Sequence, residues 1–219
     1  ANTLEAESSF TFDAGQGVIT GTQAQLRVSG STQGRILYTD SGATSNKQSF
    51  DITSEGDSLR FRSLADDINS VRANAMTIAG DTGHVNFPTR PIACVGKGNG
   101  HVSGGNDIVF NVAHTNNGNH YNTSNGRFTA PIDGHYFVGF FAISEGNSTF
   151  DVELRKNGST ENRFAPYSAA SGANHIHIGA TCVIYLTSGQ YLTIHLNSGT
   201  MYGGSGSGRH NGANFWLLG

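Results

Sequence analysis

Histidine is the residue type in this chain that most suggests catalysis or metal binding, because eight of its nine copies fall within residues 92–219. An imidazole can serve as a general acid, a general base or a metal ligand near neutral pH. The motifs that organise such chemistry are missing, since there is no Gly-x-Ser-x-Gly elbow, His-Glu-x-x-His pair or Walker loop. We therefore predict a protein that is not an enzyme, and a chance Ser-His-Asp triad is the alternative.

Two polar loops have a composition suited to recognition. They are residues 116–126 and 203–212, and both are rich in Asn, Gly, Ser and His. Such side chains offer adaptable hydrogen bonds without large charge, as the loops of antibodies do. The alternative is ordinary turn composition. The side chains that we predict to contact a ligand are Asn119, His120, Tyr121, Arg209 and His210.

The composition of the whole chain excludes several classes of protein. Glycine supplies 30 of 219 residues, roughly twice its usual share, whereas Asp, Glu, Lys and Arg together supply only 13%. So few charges exclude a coiled coil, and 36% hydrophobic residues suffice for a core. The net charge of −3 predicts no nucleic-acid partner. The longest apolar run, Tyr136–Ile143, is far shorter than the roughly 20 residues of a membrane span, so no membrane insertion is expected.

The distribution of charge and glycine divides the chain in two. Residues 1–91 carry the whole net charge of −3, whereas residues 92–219 are neutral and hold 21 of the 30 glycines. Between them, Pro88 and Pro91 stiffen a stretch that cannot be a central strand. We predict an N-terminal region of residues 1–90 and a C-terminal domain of residues 91–219. Cys94 and Cys182 fit either one disulfide or two thiols.

Both regions are predicted to consist of strands. Short alternating runs such as Arg35–Tyr38 and Ile108–Val112 lie between turn residues. Ser63–Ala75 has roughly helical spacing but no clean cap, so strand and loop are favoured there. Lys156-Asn157-Gly158 predicts a tight hairpin turn. The fold class is therefore all-β, with an antiparallel sandwich or barrel in the C-terminal domain.

Two predicted strands of the C-terminal domain are apolar on both faces. In His135–Ile143, Tyr136 points to one side while Phe137 and Phe141 point to the other, and Tyr185 lies on a mixed aromatic face of a later strand. An apolar side chain left in water forfeits about 1.5–3 kcal/mol. We therefore predict that Phe137, Phe141 and Tyr185 lie in a subunit interface. Cover by a loop of the same chain is the alternative.

The aromatic spacing from Phe110 to Phe140 resembles the signature of C1q-like globular heads, in the C1q and tumour-necrosis-factor superfamily. Its most specific part is Gly126–Tyr136, which reads GRFTAPIDGHY, and Leu186–Leu192 and Phe215–Leu218 are also similar. One position departs, because Val138 stands where an aromatic residue is usual. The resemblance covers about residues 92–219 and implies a ten-stranded jelly roll that forms a compact homotrimer.

A homotrimer would give two histidines a further role. His175 and His177 are two residues apart on a predicted strand and so point to the same side. If that side faces the threefold axis, three chains would offer six imidazoles, enough for an octahedral transition-metal site. The alternative is that these histidines are interfacial or hydrated. No other cofactor is expected.

Residues 1–90 resemble phage tail-fibre and fibre-like adhesin sequences. The resemblance is carried by Ile36–Asp40, Ser58–Arg62 and Asn74–Val85, the last of which looks like a repeated shaft element. Such shafts are trimeric, with strands of three chains burying a common axis, which fits the scarcity of large apolar residues in this region. The resemblance also implies contacts with other fibre or virion proteins.

Together the two resemblances imply a homotrimeric adhesion protein of a virion fibre. Its C1q-like tip would recognise a glycan or a protein on the surface of a host or target cell. One alternative is a structural virion or bacterial surface fibre protein in which the head is mainly a trimerisation cap. The other is a secreted, lectin-like C1q protein. The expected location is the virion, and otherwise the cell surface or extracellular space.

Overall fold

The computed structural model describes residues 27–146, 149–168, 175–204 and 206–219. The chain divides into two compact units, Ala1–Asn86 and Phe87–Gly219, just before the proline-containing segment at the predicted boundary. Over the described residues every regular element is a strand, so the all-β prediction is confirmed. The same residues include no helix long and apolar enough to cross a membrane.

The first unit, unit 1, is a meander of antiparallel strands in which each strand pairs with the next in the chain. Between the second and third strands, Gly56 and Asp57 have φ angles of 53° and 57°, as a two-residue hairpin turn requires. The segment Ser63–Ala75 forms the end of one strand, a turn and the start of the next, as favoured from the sequence. The strands are β1 (Gln33–Thr39), β2 (Ser49–Glu55), β3 (Ser58–Leu64), β4 (Val71–Ala79) and β5 (Val85–Asn86).

The second unit, unit 2, is a sandwich of two antiparallel sheets. Its strands are β6 (Ile92–Gly96), β7 (Val102–Ser103), β8 (Asn106–Asp107), β9 (Val112–Asn117), β10 (Tyr121–Asn122), β11 (Arg127–Thr129), β12 (Gly134–Ile143), β13 (Thr149–Lys156), β14 (Ser159–Ser168), β15 (His177–Leu186), β16 (Tyr191–Ser198), β17 (Thr200–Met201) and β18 (Gly212–Leu217). The front sheet has the order β15-β12-β18-β6-β9. The back sheet has the order β10-β11-β16-β13-β14, with β8 also on β16, and β7 pairs with β17.

Aromatic side chains fill the core between the two sheets of unit 2. The rings of Phe128 and Phe215 stack with their centroids 4.9 Å apart, and Tyr136 meets Phe128 edge-on at 5.6 Å. Phe110 is also buried against Phe140, at 6.4 Å. Most of the aromatic residues in the spacing noted from the sequence are therefore core residues. Each fully buried side chain stabilises the sandwich by about 1.5–3 kcal/mol.

The tight turn predicted at Lys156-Asn157-Gly158 is confirmed. It joins β13 to β14, with φ angles of 53° at Asn157 and 83° at Gly158. These left-handed conformations suit asparagine and glycine better than other residues, and their twist matches that of the flanking strands.

The strand predicted at Ile108–Val112 is wrong for all but its last residue, which begins β9. Ile108 and Phe110 are buried in an irregular segment. The Ile108 amide donates to the carbonyl of Ile194 at 2.7 Å, and the Phe110 amide donates to the phenol oxygen of Tyr121 at 3.0 Å. Ile108 and Phe110 are therefore buried on alternate positions although this segment is not paired in a sheet, because the side chain of Tyr121 accepts one of its backbone hydrogen bonds.

The two cysteines are free thiols. Cys94 lies in β6 and Cys182 in β15, with two strands of the front sheet between them. Three strand spacings amount to about 14 Å, whereas a disulfide needs Cα atoms within about 7 Å. Of the two alternatives left by the sequence, the structure has two thiols.

Candidate functional site

The outer face of the front sheet carries an aromatic surface that the described residues leave open. Phe137 of β12 stacks on its cross-strand partner Trp216 of β18, with ring centroids 4.0 Å apart. Beside them, Tyr185 of β15 meets its own partner His135 edge-on at 5.2 Å. Tyr185 is 49% exposed and its neighbour Val183 is 56% exposed. Such an open apolar surface is typical of an interaction site.

Glycines allow two phenyl rings to lie flat on this outer face. A Cβ added at Gly212 would lie 2.8 Å from Cζ of Phe141, and one at Gly139 would lie 3.1 Å from Cε1 of Phe137. Both phenylalanines are consequently half-buried within their own chain. The result is a smooth surface that a second protein surface can approach closely.

All three residues predicted for a subunit interface lie on this outer face, namely Phe137, Phe141 and Tyr185. The opposite face of β12 is buried in the core, where Tyr136 and Val138 are 0% exposed. Within the described ranges no loop covers the outer face. The assignment of the three residues to an interface between subunits stays a prediction, because the structure contains one chain.

A second candidate site lies where β12 ends and β18 begins, which we call the far end. The ring of Tyr202 is surrounded by those of His101, His175 and His210, at centroid distances of 5.3, 5.2 and 6.2 Å. Oε2 of Glu145 lies 3.7 Å from Nδ1 of His101 and 3.9 Å from Nδ1 of His175. These five residues form the histidine–tyrosine cluster. It offers an aromatic ring beside imidazole and carboxylate hydrogen-bonding groups.

Buried Asn211 holds the segments that build the histidine–tyrosine cluster. Its side-chain oxygen accepts a hydrogen bond from the Ile143 amide at 2.6 Å, and its side-chain nitrogen donates to the carbonyl of Tyr202 at 2.6 Å. Its own carbonyl accepts from the Lys97 amide at 3.0 Å. Asn211 is 0% exposed, so one side chain ties the loop before β18 to the end of β12.

We expect Asn211→Ala to lower the free energy of unfolding of unit 2 by about 2–4 kcal/mol, because the part-buried amide of Ile143 and carbonyl of Tyr202 lose their hydrogen bonds to Asn211. Urea unfolding followed through the fluorescence of Trp216, the chain's single tryptophan, measures the change. Asn99→Ala removes an exposed amide after β6 and serves as the control, with an expected change within about 0.5 kcal/mol. Equal midpoints for the two variants would contradict the role given to Asn211.

The structure separates the two loops predicted to contact a ligand. Loop 116–126 begins beside the start of β6, which we call the entry end, because Ile92 pairs with Asn117. Loop 203–212 reaches the far end, because Gly96 pairs with Gly212. The length of β6, roughly 17 Å, lies between the two ends. Asn119, His120 and Tyr121 therefore belong to the entry end, and Arg209 and His210 to the far end.

Tyr121 is a core residue, which corrects its prediction as a contact residue. It is 2% exposed, and its ring stacks on Phe215 with centroids 5.8 Å apart. Burial raises the pKa of the Tyr121 phenol above its ordinary range. Its neighbour Asn119 is exposed, whereas His120 is half-buried and burial lowers its pKa. Arg209 and His210 are both exposed.

The two histidines predicted as axial metal ligands occupy different surroundings. His175 belongs to the histidine–tyrosine cluster, with Nδ1 3.0 Å from the carbonyl oxygen of Ser144. His177 stacks on Phe141 on the outer face, with centroids 6.4 Å apart. Among the described residues of the chain, no three His, Cys, Asp or Glu side chains are grouped to hold a metal ion. A site made of six imidazoles needs three chains and stays a prediction.

Sequence reasoning missed three members of the histidine–tyrosine cluster, namely His101, Glu145 and Tyr202. Each lies in a different connection of unit 2, and none is part of a motif. The histidine count of residues 92–219 was the one sequence signal for a cluster of imidazoles. Their meeting point is set by the pairing of strands that are far apart in sequence.

Comparison with known proteins gives one family and a set of structures. The family model described as "C1q domain" matches residues 95–211, more than half of the chain. The globular domain of zebrafish complement 1qA protein is 18% identical, with 59% of this chain and 98% of that chain covered and a TM-score of 0.44. Eiger TNF from S. frugiperda is 12% identical, with 60% of this chain and 94% of that chain covered and a TM-score of 0.47. Murine APRIL is 14% identical, with 59% of this chain and 99% of that chain covered and a TM-score of 0.45.

Proposed function

The chain belongs to the C1q domain family through residues 95–211, and from this premise we propose that it is a homotrimeric binding protein that attaches to a cell surface. The observation that carries the proposal is the open aromatic outer face of the front sheet. A symmetric assembly would bury the same patch of every copy. Phe137, Phe141 and Tyr185 would then leave water, which stabilises the assembly by up to about 1.5–3 kcal/mol for each side chain.

The far end of the head supports the binding part of the proposal. The histidine–tyrosine cluster and the exposed Arg209 combine aromatic area with hydrogen-bond donors and acceptors and modest charge. This chemistry suits a glycan or a polar protein surface better than an apolar ligand. Three heads in one trimer would raise the avidity for a repetitive cell surface well above the affinity of one head.

The resemblance of residues 1–90 to phage tail-fibre sequences supports a more specific version. In it the protein is a virion fibre component, unit 1 is part of the shaft, and the N-terminal region contacts other fibre or virion proteins. The head then works as the receptor-binding tip for a host. Purified virions probed with an antibody against unit 2 test this location.

Replacing Arg209 and His210 together by alanine is expected to reduce binding to a glycan array or to target cells at least tenfold, while the trimer persists. The physical reason is the loss of two exposed far-end side chains that no core contact requires. The comparison variant is Asn119→Ala with His120→Ala, which removes the two predicted contact residues that remain at the entry end.

Three results would contradict this prediction. Loss of binding only in the entry-end variant would move the receptor site to that end. Unchanged binding in both variants would remove both loops from the site. A wild-type trimer that binds neither glycans nor cells would favour the head as a trimerisation cap.

A further inference from the structure

The two faces of unit 1 have opposite chemistry. One face, the charged face, carries an ion-pair network in which Asp51 is bound by Arg62 and Arg35 and Glu55 is bound by Arg62. The other face, the apolar face, carries only uncharged side chains on β1, β2 and β3. Its large apolar members are Ile36, Tyr38, Phe50, Ile52, Leu59, Phe61, Met76, Ile78 and Val85.

The strand register joins these side chains into one continuous surface. Ile36, Ile52, Phe61 and Met76 form a row across four strands, because each is the Cα partner of the next. Tyr38 and Phe50 form a second row, and Leu59, Ile78 and Val85 form a third. Three adjacent rows make a patch and not a scatter of isolated residues.

The apolar face is open, whereas part of the charged face is covered by its own chain. Tyr38 is 54% exposed and Phe50 is 51% exposed. On the charged face, Arg35 donates to the carbonyl oxygen of Ile68, so the turn after β3 lies against the ion pairs. Asp51 beneath it is only 2% exposed. The described residues of unit 1 thus bury the ion pairs of the charged face and leave large side chains of the apolar face exposed.

The size of the apolar face indicates how it is covered. The four longer strands, about 4.8 Å apart and seven to nine residues long, give a sheet area of roughly 400 Å². This is as large as the exposed apolar patches that usually mark interaction sites. It is also about half of the roughly 800 Å² that each partner buries in a free-standing complex. A partner held close by another contact fits this area better than a freely diffusing one.

We propose that the apolar face of unit 1 packs against the same face of the other copies of this chain in the homotrimer. The inference rests on the proposed trimer of heads. Unit 2 follows unit 1 directly in the chain, so a trimer of heads holds three copies of unit 1 at an effective concentration in the millimolar range. A face whose central strands carry no charge also meets its own copy without like-charge repulsion.

Cross-linking of two matched cysteine variants tests this packing. Ile36→Cys places a thiol on the apolar face, and Leu37→Cys places one on the charged face of the same strand. The two side chains are 38% and 40% exposed in the single chain. Both variants carry Cys94→Ser and Cys182→Ser, so each chain has one thiol. With a short bis-maleimide at micromolar protein, we expect Ile36→Cys to give at least ten times more covalent dimer than Leu37→Cys.

The outcomes of this experiment show whether other copies of the chain pack on the apolar face. A trimeric mass by light scattering together with equal or absent cross-linking at both positions overturns the inference and leaves the trimer of heads intact. A monomeric mass overturns both this inference and the proposed function. Val85→Cys, on the edge strand of the same face, repeats the test if Ile36→Cys does not fold.

Discussion

Tyr185→Asp is expected to convert the proposed homotrimer into monomers. Tyr185 stands on the outer face of the front sheet, half exposed in the single chain and in contact with His135. In a symmetric assembly the new carboxylate would be buried in every copy, and burying an unpaired ion costs several kcal/mol. Light scattering should show the mass falling from three times the chain mass to the 23.1 kDa of one chain.

Ile132→Asp is the matched control for Tyr185→Asp. Ile132 is 51% exposed, almost as much as Tyr185, but it lies in the loop between β11 and β12 and not on the front sheet. The same charge should leave its trimer intact. A trimeric Tyr185→Asp protein with a native melting curve would show that the outer face is not the subunit interface.

Asp51→Ala is expected to lower the free energy of unfolding of unit 1 by about 3–5 kcal/mol, because buried Arg62 then keeps only its bond to Glu55 and Arg35 loses its ion pair. Arg62 donates from Nε to Oδ1 at 2.8 Å and from Nη2 to Oδ2 at 2.6 Å, and Nε of Arg35 lies 2.6 Å from Oδ2. The Arg62 side chain is only 6% exposed. Water therefore replaces little of the lost interaction.

Hydrogen exchange by mass spectrometry across a urea series measures this change in peptides of residues 33–86, since Trp216 reports only on unit 2. Asp81→Ala, in an exposed turn of the same unit, is the control and should change stability by no more than about 0.5 kcal/mol. Similar unfolding midpoints for Asp51→Ala and Asp81→Ala would remove the ion-pair network from the account of unit 1.

The same network predicts a pH dependence. Burial by itself would raise the pKa of Asp51, but the hydrogen bond from Arg62 and the charges of Arg62 and Arg35 outweigh it and lower that pKa. A carboxylate whose pKa is lower in the folded state than in the unfolded state stabilises the fold at pH values above the unfolded-state pKa. This stabilisation is lost as the pH falls through the folded-state pKa. Unit 1 should therefore weaken below about pH 4. Asp51→Ala should abolish this part of the acid sensitivity, and an unchanged acid profile would contradict the assignment.

Local patterns predicted much of the fold because they act between near neighbours in the chain. Alternation along His135–Ile143 assigned Tyr136 to the core and Phe137 to the other face, since successive side chains of a strand point to opposite sides. The turn at Asn157 and Gly158 follows from the positive φ angles that such a hairpin needs. The same alternation wrongly predicted a strand at Ile108–Val112, where alternate residues are buried but the backbone is not paired in a sheet.

The candidate site was predicted less well, because composition does not report burial or position. Tyr121 shares a polar loop with Asn119, yet its ring lies in the core and its phenol oxygen accepts a backbone hydrogen bond. The loops that contain Asn119 and Arg209 look alike in sequence but lie at opposite ends of β6. Which end a loop occupies depends on strand order, which no local pattern encodes.

The amino-acid sequence by itself determined the all-β class, the two-sided strands and the aromatic spacing shared with C1q-like heads. These features are set by steric and solvation rules that act within a few residues. Only the tertiary structure decided that His101, Glu145, His175 and Tyr202 meet, and that the large apolar side chains of unit 1 form one open surface. The physical reason is that pairing register and strand order join distant segments, so both surfaces exist only once the sheets have formed.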